Sequence, residues 1–146
     1  MLIGELRRTL PGLAYAPVAF ISAKERNGLD ELLDAVVLVA ENLDNELPTG
    51  VLNRVLHRAF EQTPPPVVGN APLKFFYASM VDTRPPKVKL FVNRAELAAP
   101  NYVTYLAKQL RNAFELEGLP LHMELCARPK KVESIRRHQS SGRKRK

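Results

Sequence analysis

The sequence predicts an α/β chain of the α+β kind: a three-stranded sheet with helices packed on one face, preceded by a strand–loop–helix unit. Three observations point there. The stretch VDTRPPKVKLFVN, residues 81–93, sets two strand-like runs either side of a Pro-Pro turn. Helical apolar periodicity flanks it on both sides. Upstream, PVAFISAKERNGLDELL, residues 17–33, reads as an apolar strand, a polar loop and a helix. A chain of 146 residues is long enough for one domain, or for a small domain plus a piece of another.

Residues 2–10 read as the end of a helix stopped by Pro11 and Gly12, and Ala16 to Ile21 as a short buried strand. Ser22 to Gly28 is the polar loop. From Leu29 the residues Leu29, Leu32, Leu33, Val36, Val37 and Ala40 recur at helical spacing, with Asp30, Glu31 and Asp34 early in the helix where its dipole favours negative charge. That helix is expected to end near Leu43. The polar segment from Asn42 to Gly50, with Pro48, reads as a linker, and Thr49 as the cap of the next helix.

In that helix Val51, Leu52, Val55, Leu56, Ala59 and Phe60 share one face, and Pro64, Pro65 and Pro66 terminate it because proline lacks the needed N–H. Lys74 to Val81 reads as a strand. In the next, Val88, Leu90 and Val92 alternate with Lys87, Lys89 and Phe91, so the first set faces a core and the second the opposite side. Pro85 and Pro86 belong in the turn. Neighbours in a strand face opposite ways, so at least one of Phe75, Phe76 and Tyr77 is core and the three cannot form one platform; core packing is expected over base stacking. Tyr102, Val103, Leu106, Ala107, Leu110, Ala113 and Phe114 mark a further helix closed by Gly118 and Pro120. A last strand alternates Leu121, Met123 and Leu125 with His122, Glu124 and Cys126.

The net charge of +7 is segregated. Residues 1–127 hold 13 Lys and Arg against 14 Asp and Glu, whereas residues 128–146 hold 9 against 1. Arg128, Lys130, Lys131, Arg136, Arg137, Arg143, Lys144, Arg145 and Lys146 form a polyelectrolyte suited to phosphate, which points to nucleic acid; the bland alternative is a solubilising end. The single cysteine, Cys126, excludes an intramolecular disulfide and a cysteine-based zinc cluster. His57, His122 and His138 fall in different segments and offer no metal-ligand spacing. No apolar stretch has membrane-spanning length and no secretory address is visible, so a cytoplasmic chain with no membrane partner is expected.

Helix, strand, strand, helix, strand is the order of a KH-like module. Together with TRPPKVKLFVN (83–93), PTGVLNRVLHRAF (48–60), PPPVV (64–68) and YLAKQLRNAFELEG (105–118), it makes the chain resemble the C-terminal part of the Der (EngA) family of bacterial GTPases, from about Pro11 to Ala127. The resemblance implies three parts. Residues 1–46 are the C-terminal remnant of a second P-loop G domain, containing its guanine-loop strand and last helix. Residues 47–127 are the KH-like domain, and residues 128–146 a basic tail expected to be disordered. It further implies a role in assembly of the large ribosomal subunit, with ribosomal RNA or a large-subunit precursor, or a G domain of a complete family member, as partner.

By the same resemblance Ser22, Ala23 and Lys24 occupy the positions of the guanine-contacting loop, against the plain reading of an ordinary strand-to-helix loop. The chain itself has no G-x-x-x-x-G-K-[ST], D-x-x-G or N-K-x-D, so nothing is expected to cradle phosphates. No catalytic residue, metal or cofactor is assigned to it; GTP and magnesium belong to the complete family member. The glycines, at 4, 12, 28, 50, 69, 118 and 142, include no pair three apart, so the G-x-x-G clamp of ordinary KH domains is missing. Two uses remain for the polar sheet face: contact with structured RNA, or docking to a G domain. Lys87 and Lys89 on that face, with Lys108 and Arg111 on the last helix, are the candidate RNA contacts, or else solvated side chains. The rival readings are that this chain is one portion of a complete GTP-hydrolysing enzyme, or a purely protein–protein module.

Overall fold

A computed structural model describes residues 2–128. The N-terminal part contains α1 (Leu2–Thr9), a 3-10 turn at Pro11–Leu13 and α2 (Leu29–Asn42). The rest runs α3 (Thr49–Gln62), β1 (Phe75–Thr83), β2 (Pro86–Val92), α4 (Pro100–Ala113) and β3 (His122–Ala127), the order expected for the second unit. The sheet order is β1-β2-β3. β1 and β2 form an antiparallel hairpin, while β2 and β3 run parallel, which requires the crossover that α4 supplies.

The core lies between the sheet and α3 with α4. Leu52 and Leu56 of α3, Leu106 and Leu110 of α4, and Val88, Leu90 and Val92 of β2 are wholly buried. β2 is the central strand, so its strict alternation of buried and half-buried residues is the clearest expression of the two-residue period in the molecule. Tyr102 and Tyr105 of α4 donate their hydroxyl groups to the carbonyls of Thr63 (2.7 Å) and Ala59 (3.1 Å), which ties α4 to the end of α3. Burial, helped by the nearby Tyr105, pushes the Tyr102 phenol up to about 12, so it stays a donor throughout the neutral range.

Four local expectations are corrected. Ala16 to Ile21 form no strand, because among the described residues no neighbouring strand pairs with them; Phe20 remains 53% exposed, and the pairing described nearby is an isolated bridge between Ser22 and Asn27. Thr49 is the first helical residue of α3 rather than its cap, which is Pro48, with no side-chain cap bond. Pro86 is the buried first residue of β2, a position where the missing N–H costs the ladder nothing. The segment read as a linker is packed: Asn42 and Leu47 are buried, and Asn42 donates to the Glu117 carbonyl at 2.9 Å.

The N-terminal part is clasped to the KH-like part. Gly118 N–H donates to the Tyr15 carbonyl at 3.0 Å, Asn45 donates to the Glu115 carbonyl at 3.2 Å, and Asp44 pairs with Arg84. Gly118 sits at φ +79 beneath Val39 of α2, and a Cβ there would fall 2.2 Å from the Val39 Cγ2. Only glycine suits both demands. Elsewhere α2 is open: Leu33 is 61% exposed, and Val36 and Val37 are exposed with it, although their spacing marks an apolar face.

Candidate nucleic-acid interface

The face of the sheet away from α3 and α4 is built row by row from strand register. Tyr77 lies opposite Phe91 and Phe91 opposite Cys126; Ser79 opposite Lys89 and Lys89 opposite Glu124; Asp82 opposite Lys87 and Lys87 opposite His122. Aromatic residues therefore occupy one end of the face and charged residues the other. At the charged end a groove of about 550 Å³ is lined by Asp82, Pro85, Lys87, His122, Met123 and Glu124.

Glu124 governs the lysines. Its carboxylate lies 3.2 Å from the Lys87 Nζ and 3.9 Å from the Lys89 Nζ. The hydrogen bond from Lys87, with the charges of both lysines, holds the Glu124 carboxyl below its usual range against a smaller opposing effect of burial. All three side chains remain substantially exposed, so these pairs contribute little to stability; their weight is in the local charge they cancel.

At the aromatic end the Tyr77 and Phe91 rings stack with centroids 4.4 Å apart and planes within 17°. Phe76 and Tyr77 are exposed, so of the trio expected to have at least one residue inside, two do not pack in the core. Only Phe75 does so, stacked on Phe60 at 5.1 Å. The cause is a pair of register shifts in β1, between Met80 and Asp82 and between Phe75 and Tyr77. Each adds a residue to β1 and swaps the face of those beyond it. Arg128 completes this end: its N–H bonds the Val92 carbonyl at 3.0 Å, continuing the pairing of β3, and its guanidinium lies 5.4 Å from the Phe76 ring centroid.

Of the remaining candidates, the two that the structure describes, Lys108 and Arg111, do not join this face. Lys108 is exposed on α4, on the helical side of the sheet. Arg111, also on α4, donates from one Nη to the carbonyls of Leu116 (3.1 Å) and Leu119 (2.8 Å), and its guanidinium covers the Tyr15 ring at 4.8 Å. Burial lowers its pKa somewhat, with no consequence near neutral pH. This geometry gives Arg111 the work of holding the turn after α4 against the N-terminal part. Lys130, Lys131, Arg136, Arg137, Arg143, Lys144, Arg145 and Lys146 lie outside the described residues.

The loop of Ser22, Ala23 and Lys24 stands apart from this face in sequence and is closed on itself. Ser22 N–H donates to the Asn27 carbonyl at 2.9 Å and its Oγ accepts from the Glu25 N–H at 3.3 Å, leaving Ala23 and Lys24 exposed at the tip. Gly28, at φ +77, closes the loop where a Cβ would fall 2.1 Å from the Phe20 carbonyl oxygen.

Sequence reasoning also missed Asn53. Its side chain donates to the Ala78 carbonyl (2.8 Å) and accepts from the Ala78 N–H (2.7 Å), so an α3 residue satisfies the outer edge of β1 as a neighbouring strand would. Its place beside Leu52 and three residues before Leu56, at the border of the apolar stripe of α3, was the available signal.

Comparison with known proteins agrees with this architecture. A family model described as the KH-domain-like C-terminal domain of EngA bacterial GTPase enzymes matches residues 46–125. GTPase Der of Finegoldia magna is 38% identical over 126 residues, covering 86% of this chain and 29% of that protein. GTPase Der of Nitratiruptor is 40% identical over 133 residues, covering 91% of this chain and 29% of that protein. GTPase Der of Nitrosococcus oceani is 40% identical over 120 residues, covering 82% and 26% respectively. The chain thus spans little more than a quarter of the length of these relatives.

Proposed function

The chain belongs to the family of KH-like domains at the C-terminus of EngA bacterial GTPases, and from that membership we propose that it is a binding region, acting in large-subunit assembly in the cytoplasm by holding ribosomal RNA. The observation that carries the reading is charge placement. The run of nine cations against one acid begins at Arg128, and Arg128 is seated at the aromatic end of the open sheet face. A polyelectrolyte joined directly to a face bearing lysines and exposed aromatic rings suits RNA, with the tail supplying affinity by counterion release. Lys87 and Lys89 are further, weaker phosphate contacts on that face in this reading, while Lys108, on the helical side, would meet a different segment of the RNA.

Residues 1–46 favour a second role for the same chain, as the end of a G domain. α1, α2 and the segment between them leave Leu2, Phe20, Leu33, Val36 and Val37 exposed, apolar surface that suits the remainder of such a domain. Ser22, Ala23 and Lys24 would then face guanine, with GTP and magnesium held by parts of a complete family member beyond this sequence.

The test is RNA affinity measured at several salt concentrations for the chain and for a form lacking residues 129–146. Each phosphate contact contributes a log–log slope of about 0.7 for single-stranded RNA, so losing even four tail contacts flattens the slope by about 3. An unchanged slope would overturn the role given to the tail.

A further inference from the structure

We propose that the Tyr77–Phe91 pair is a base-stacking platform for unpaired RNA; this deepens the RNA-binding reading above and rests on it. Two aromatic rings on adjacent strands, parallel within 17° and 4.4 Å apart, already have the stacked geometry that a base extends. Tyr77 is 43% exposed, so its ring has surface left to cover. Phe76, beside it in the chain, is also exposed and carries the Arg128 guanidinium at 5.4 Å. The aromatic end therefore combines π surfaces with a cation.

The charge pattern selects the orientation of the strand. Glu124 sits between Lys87 and Lys89, so the charged end of the face is partly neutralised and offers phosphate a weak site. Arg128, where the basic run begins, has its guanidinium against an aromatic ring, so phosphates are drawn to that end of the sheet while bases turn onto Tyr77 and Phe91. Duplex RNA hides its base faces within the helix and offers such rings nothing, so the occupant is single-stranded. The missing G-x-x-G clamp agrees with this, because stacking tolerates any base and needs no backbone clamp.

The experiment measures anisotropy of labelled oligouridine and of a blunt-ended, fully paired RNA duplex against the full chain and its Tyr77→Leu, Tyr77→Phe and Phe91→Leu variants. Thermal melts check that each variant is folded. Leucine keeps apolar bulk and removes the π-face, whereas phenylalanine keeps the ring. Tyr77→Leu or Phe91→Leu is expected to weaken oligouridine binding about tenfold and Tyr77→Phe by less than about twofold. Duplex affinity and both salt slopes stay unchanged, since no phosphate contact is lost. Equal losses on both RNAs, or none on oligouridine, overturn the platform while leaving RNA binding intact. An RNA-independent loss of G-domain capture in Tyr77→Leu, with oligouridine affinity unchanged, overturns it in favour of protein docking. Failure of the parent chain to bind either RNA overturns the RNA-binding reading and the platform with it.

Discussion

Gly118→Ala tests the clasp between the N-terminal part and the KH-like part. Two costs meet at this residue. Alanine at φ +79 occupies the left-handed region, worth about 1 kcal/mol against glycine. Its Cβ would also lie 2.2 Å from the Val39 Cγ2 and 3.3 Å from the Val39 Cβ, where ordinary carbon contact is about 3.5–4.0 Å. Valine in a helix has one strongly preferred rotamer, so it cannot swing away and α2 itself must retreat, an overpacking cost of about 1–3 kcal/mol. The sum is about 2–4 kcal/mol. The strain is relieved by undocking, because the bonds from Gly118 to Tyr15, Asn42 to Glu117 and Asn45 to Glu115 all lie at this junction. Hydrogen exchange followed by mass spectrometry should show residues 39–45 opening at least about 30-fold more readily, with β2 far less affected. Adding Val39→Ala removes the offending Cγ2 methyl, leaving only the 3.3 Å contact to the Val39 Cβ, and should recover most of the overpacking share but not the backbone share. The reasoning is refuted if Gly118→Ala leaves exchange in residues 39–45 unchanged, or if Val39→Ala relieves nothing.

Asn53→Ala leaves the Ala78 N–H and carbonyl without their α3 partner and should lower stability by about 2–3 kcal/mol, or roughly 5–10 °C in melting temperature, by calorimetry. Glu124→Gln frees Lys87 and Lys89, so the RNA salt slope should steepen by about 0.7 for each lysine that then reaches a phosphate, read from binding at a series of salt concentrations. The lowered folded-state pKa of Glu124 means its ion pairs stabilise the fold above the usual carboxylate range and lose that effect as pH falls through the lowered value; melts of Glu124→Gln should lack this acid-side loss.

The KH-like part was legible because its signals are local and mutually consistent. Period-two alternation in Lys87 to Val92 and period-3.6 spacing in α3 and α4 each name the buried set directly, and the prolines mark the ends. The outward position of Tyr77 was not legible, for a countable reason. Thr83 pairs with Pro86 beside the turn, and an uninterrupted ladder from there would set Tyr77 opposite Val92, facing the core. The first register shift moves Tyr77 opposite Phe91 and so to the open face; the second returns Phe75 to Val92 and leaves Phe76 as the extra residue. No residue in FFYASMVDT announces either shift. The missing strand at Ala16 to Ile21 fails differently: apolar composition proposes a strand, but pairing requires a neighbour, which composition cannot supply.

Charge and stacking divide the proposed work. Across the sheet face, Lys87 and Lys89 are opposed by Glu124 and Asp82, so the folded surface is close to electrically balanced where RNA would lie. A balanced face cannot drive association at physiological salt; it can only choose among strands already held nearby. Residues 128–146 carry the opposite character, with nine cations and one acid, strong in attraction and poor in choice. Arg128 belongs to both, bonded through its backbone to β2 and through its side chain to Phe76. Affinity should therefore follow salt through the tail, and preference for unpaired over paired RNA should follow the rings, with each separable from the other by mutation.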